Sequence, residues 1–85
     1  MILNCYSIKD KLTEFNGVIC IKDDKIAERI FKGYCEREKA INYTESRYFE
    51  LYKVGTFNTD TGELTGLAKQ EIKLIKEGEQ YEQSD

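Results

Sequence analysis

The run Tyr48–Phe57, YFELYKVGTF, is the tightest constraint in this chain. Read as a strand, it puts Phe49, Leu51 and Phe57 on one face, with Lys53 and Gly55. Tyr48, Tyr52 and Val54 take the other face, with Glu50. Successive side chains of a strand point to opposite faces, so both faces here are half apolar. A single helix covers one face of a small sheet. The other face must meet a second layer, a partner subunit or a ligand. The run ends in Asn58-Thr-Asp-Thr-Gly62, which reads as a hairpin turn with Gly62 where a left-handed residue closes the loop. Catalysis by Asp60 would need a His, a Lys or a second carboxylate held close. Only Glu63 stands at local spacing, and it is expected to face solvent. Asn58, Asp60 and Glu63 do not make the alternating oxygen frame of a calcium loop. The turn is therefore read as structural.

The remaining elements follow from periodicity. Ile2 to Ile8 alternates through Ile2, Tyr6 and Ile8 and is expected to be a strand. The polar stretch KDKLTEFNG ends in the turn signal Asn16-Gly17. Gly17–Lys22, GVICIK, is short, β-branched and almost wholly apolar, the pattern of a central strand buried on both faces. Asp23-Asp24 then opens a helical pattern, because aspartate accepts from the first unpaired N–H groups and suits the positive end of the helix dipole. The helix is expected from about Asp24 to Ala40. Ile26, Ala27, Ile30, Phe31, Tyr34, Cys35 and Ile41 form its apolar face, and Lys25, Arg29, Lys32, Glu36 and Lys39 lie opposite. Leu67–Lys76, LAKQEIKLIK, fits a helix through Ala68, Ile72 and Ile75 or a strand through Ile72 and Leu74. The β-branched residues and the preceding Gly66 favour the strand. The expected fold is α+β: a small antiparallel sheet of three to five strands in β-β-α-β-β order, with one amphipathic helix on one face. A single domain over 1–76 and a disordered acidic tail over 77–85 complete the expectation.

Eighty-five residues make one domain, and so short a chain gains from oligomerisation. No apolar run approaches the roughly 20 residues of a membrane span. The N-terminal residues show no secretory leader, so no membrane role is expected. The three cysteines form no CxxC pair, and their odd number points to reduced thiols in a cytoplasm. There is no His, which removes Ser-His and Cys-His catalysis and the common Cys/His zinc sites. No enzyme and no cofactor is expected. Of the 16 acids, Glu77, Glu79, Glu82 and Asp85 lie in the tail, leaving 12 against all 13 cations in the body. An acidic total thus leaves room for a nucleic-acid face without arguing for one.

Lys25, Arg29, Lys32 and Lys39 recur at helical spacing and could follow a phosphate backbone, although Glu28 and Glu36 share that face and a solvated surface gives the same pattern. Tyr6, Tyr48 and Tyr52 could stack bases, or line a core or a dimer seam.

Together these stretches resemble a known family. A first strand with Tyr6 and Lys9-Asp10, a helix with Ala27, Arg29 and Phe31, and a strand and turn with Phe49, Leu51, Gly55, Phe57, Thr61 and Gly62 are similar to the small nonstructural proteins of gokushoviruses, tailless phages with single-stranded circular DNA. Asn58 stands where that family usually has Asp. The chain also lacks the prolines common around the family's helix-to-strand connection. The resemblance implies a non-enzymatic role in the host cytoplasm: binding DNA, with single strands favoured, during genome replication or packaging. It offers no active-site residues. The residues expected to contact DNA are Lys9, Lys11, Lys25, Arg29 and Lys32. A homodimer through Tyr48, Tyr52 and Val54 is also expected. The alternative is a protein–protein adaptor that dimerises and contacts phage or host replication proteins without touching DNA.

Overall fold

Two adjacent aspartates separate the first two strands from the helix. In the computed structural model, which describes residues 1–69 and 72–78, Asp23 is the N-cap, and its Oδ1 accepts from the Ile26 N–H at 3.0 Å. The helix, α1, runs Asp24–Asn42, two residues past the expected end. Tyr43 stops it with a left-handed backbone, φ 58°, and its N–H bonds the Glu38 carbonyl.

The described strands are β1 (Ile2–Asp10), β2 (Phe15–Ile21), β3 (Phe49–Asn58), β4 (Leu64–Gly66) and β5 (Lys73–Glu77). They form one antiparallel sheet in the order β2-β1-β3. β4 and β5 share the outer edge of β3, β4 against Gly55–Phe57 and β5 against Glu50–Lys53. The fold is α+β, as expected. β5 makes the Lys73–Lys76 part of the ambiguous segment a strand. It reaches Glu77, one residue past the expected domain end, and the Gly78 N–H donates to the Phe49 carbonyl at 2.9 Å. The remainder of the expected tail, 79–85, lies outside the described residues.

The core lies between α1 and one sheet face. Tyr6, Ile8, Phe49 and Leu51 meet Ala27, Phe31 and Cys35, with Ile21, Tyr34 and Ile75 packed around them. Burying such side chains contributes about 1.5–3 kcal/mol each. Ile30 and Ile41, expected on the buried face of the helix, are exposed.

Three expectations require correction. The first turn lies at Lys11–Glu14, where the Asp10 N–H bonds the Glu14 carbonyl at 3.0 Å and the Leu12 N–H bonds Asp10 Oδ1 at 2.9 Å. Asn16-Gly17 sits inside β2 instead, where one extra residue is accommodated between the Ser7–Val18 and Lys9–Phe15 pairs. β2 is accordingly not central but an edge strand, with most of its residues exposed. The second correction concerns β3. Lys53 pairs with Tyr6 and Gly55 with Cys5, so Val54 is the extra residue of a bulge. The alternation reverses there, and Phe57 shares a face with Tyr52 instead of Leu51. The third concerns the cysteines. The β1–β2 register sets Cys5 opposite Cys20, Cα–Cα 4.1 Å, and they are joined as a disulfide. Cys35 is buried in the core, where it packs as a small hydrophobe.

Candidate nucleic-acid interface

Among the described residues no helix packs on the second face of the sheet. Strand pairing lays its side chains out in rows. Val18, Ser7, Tyr52 and Leu74 make one row; Phe15, Lys9, Glu50 and Glu77 make the next. On the other side of the first row come Cys20, Cys5, Gly55 and Gly66, then Leu3, Phe57 and Leu64.

The first two rows bring aromatic and basic groups together. The Phe15 ring meets the Tyr52 ring edge-on, centroids 5.3 Å apart, and the Lys9 ammonium lies 5.5 Å from the Phe15 centroid. Phe15 is 40% exposed. Tyr52 is half-buried, and its hydroxyl donates to Glu50 Oε1 at 2.8 Å. Burial, helped by that bond to a carboxylate, raises the Tyr52 pKa. The other Glu50 oxygen faces the Lys11 ammonium at 3.6 Å. Glu50 therefore orients both a ring and a cation. Ser7, between them, is buried and donates to the Asn16 carbonyl at 2.9 Å, which fixes the backbone beside Phe15.

The five cations expected to contact DNA do not form one surface. Lys9 and Lys11 belong to this open face and its adjoining turn. Lys25, Arg29 and Lys32 lie exposed on α1, which packs on the opposite face. The expected dimer residues are divided too. Tyr48 belongs to a single 3-10 turn, Ser46–Tyr48, and carries the Arg47 guanidinium 5.0 Å from its ring centroid. Tyr52 is on the open face, and Val54 is at the bulge. They do not form the single strand face on which the expectation rested. Of the candidate stacking tyrosines, Tyr6 is fully buried in the core and Tyr52 is on the open face.

The sequence reading missed Phe15, because it placed this residue in a polar loop. No local signal sets its face, because the extra residue of β2 breaks the alternation between Phe15 and Val18. Asn58 Oδ1 accepts from the Asp60 and Thr61 N–H groups at 2.8 and 3.2 Å, and Asp60 pairs with the Met1 amino group at 3.0 Å. These are contacts of a turn. Among the described residues no three His, Cys, Asp or Glu side chains are grouped to hold a metal ion, and no helix is long and apolar enough to cross a membrane.

No curated protein and no solved structure matches this chain. The model of one family, described as Phage ORF5 protein, matches residues 3–81, nearly the whole length, and the chain belongs to that phage protein family.

Proposed function

We propose that this phage protein is a non-enzymatic DNA-binding protein of the gokushovirus type, holding single-stranded DNA on its open sheet face during genome replication or packaging in the host cytoplasm. The observation that carries the reading is the Lys9–Phe15–Tyr52 group, with Lys11 beside it. A single strand offers unstacked bases and a phosphate backbone. Aromatic rings on a sheet stack the bases, worth about 1–3 kcal/mol per base, and adjacent cations hold the phosphates. Duplex DNA hides its base faces and gains nothing from Phe15. The cations on α1, Lys25, Arg29 and Lys32, lie on the other side and are left for longer strands that pass around the molecule.

The adaptor reading draws on the apolar residues of the same face. Val18 and Leu74 are 55% and 42% exposed, and a protein partner would cover them. Titration of labelled single-stranded oligonucleotide with wild-type protein, Phe15→Ala and Tyr52→Ala separates the two. The DNA reading expects each variant to bind about 5- to 150-fold more weakly, the equivalent of about 1–3 kcal/mol. No binding by wild-type protein at low salt leaves the adaptor.

A further inference from the structure

β2 has the composition of an interior strand and the position of an edge. Its seven residues, FNGVICI, contain no charge and no proline. Edge strands are ordinarily protected by Lys, Pro or inward charges against pairing with another chain. Here the one irregularity lies at the Asn16-Gly17 end and leaves Val18–Ile21 regular.

The backbone polarity of that edge follows from the cysteine pair. A Cα–Cα distance of 4.1 Å between Cys5 and Cys20 marks a non-hydrogen-bonded pair of the antiparallel ladder. The N–H and C=O of Cys20 therefore point away from β1, out of the sheet. Those of Val18, two residues earlier and opposite Ser7, point the same way. Two donors and two acceptors are thus aligned along an uncharged edge. The side chains beside them are apolar on both faces. Val18 is on the open face. Ile19 is on the helix side, 37% exposed, and borders a groove of about 340 Å³ lined by Ile30, Tyr34 and Arg37.

We infer that β2 pairs antiparallel with β2 of a second copy of this chain, about a two-fold axis through Ile19. In this register Val18 lies opposite Cys20 of the second copy, and Cys20 opposite its Val18, so four backbone hydrogen bonds close across the edge. Ile19 meets the second copy's Ile19 as a close, non-hydrogen-bonded pair above the groove. The register is isologous, because the two central hydrogen-bonded pairs are exchanged by the axis, and it closes after two subunits. An uncharged edge presents no repulsion to its own copy. The open faces of the two sheets become continuous, so the interface leaves Lys9, Phe15 and Tyr52 uncovered and stands independently of the DNA reading.

Light scattering and sedimentation of the full chain at tens of micromolar, without DNA, test it. The expected mass is twice the 9.9 kDa of the chain. Ile19→Lys, which brings two ammonium groups together on the axis, is expected to give a monomer. Val18→Pro is expected to do the same, since it removes an outward N–H and no β1 ladder bond. Should either variant unfold, amide exchange on the wild type decides: the Val18 and Cys20 N–H groups are protected in the dimer and exchange faster on dilution. A wild-type monomer, a dimer that survives both folded substitutions, or unprotected Val18 and Cys20 amides at high concentration overturns the inference.

Discussion

The hydroxyl of Tyr6, at the centre of β1, donates to the carboxylate of Asp24 in the first turn of α1. Tyr6 is fully buried and Asp24 half-buried, so this bond joins sheet to helix at the margin of the core. Burial first, then the bond to Asp24, pushes its pKa up to about 12. The folded state holds the proton more tightly than the unfolded chain, whose tyrosines titrate near 10. The associated stability is complete below about pH 10 and is lost as pH rises towards about 12. Tyr6→Phe should cost about 1–2 kcal/mol at neutral pH and flatten the decline between about pH 10 and 12. Denaturant titrations of both proteins across that range measure both effects. Parallel declines would contradict the assignment.

Tyr43 ends the helix at φ 58° with its side chain exposed. A residue with a Cβ is disfavoured there by about 1 kcal/mol, and glycine is the usual occupant. Tyr43→Gly is therefore expected to stabilise the protein by about 0.5–1 kcal/mol, read as a raised urea midpoint.

Two glycines carry constraints of different kinds. Gly62 closes the β3–β4 turn at φ 81°, and Gly62→Val should cost more than about 1 kcal/mol. Gly55 has an ordinary backbone, but a Cβ would come within 2.5 Å of the Thr65 carbonyl oxygen. Gly55→Ala should separate β4 from β3, seen as faster amide exchange at Leu67, whose N–H bonds the Val54 carbonyl. Asp60→Ala, which removes only an exposed ion pair, should change stability by less than about 1 kcal/mol and leave DNA binding intact.

The Cys5–Cys20 disulfide links residues 15 positions apart. By loop entropy such a link contributes about 3 kcal/mol. Reductant should lower the urea midpoint of the wild type and leave a Cys5→Ala, Cys20→Ala double variant unchanged. Equal responses would place the bond elsewhere.

The legible parts of this sequence were those set by local chemistry. Asp23-Asp24 announced the helix, and Asn58 and Gly62 announced the turn, because caps and turns use residues a few positions apart. What escaped depends on pairing between distant segments. The Val54 bulge exists only relative to Tyr6 and Cys5, and it moves Phe57 to the other face. Placing the first turn at Asn16-Gly17 instead of Lys11–Glu14 concealed both the Cys5–Cys20 register and the exposure of Phe15. The cations of one helix face were legible as a stripe. That Lys9 and Lys11 belong to the other side of the sheet was not, since strand order is absent from local periodicity.

The central claim is that DNA contacts the open sheet face. The most direct test is the salt dependence of single-stranded DNA affinity for wild type, a Lys9→Ala, Lys11→Ala variant and a Lys25→Ala, Arg29→Ala variant. Removing one cation that neutralises a phosphate lowers the slope of log affinity against log salt by about 0.7. The account predicts a slope reduced by about 1.4 in the Lys9, Lys11 variant and a smaller change in the helix variant. An unchanged slope in the Lys9, Lys11 variant, with the full reduction in the helix variant, would contradict it.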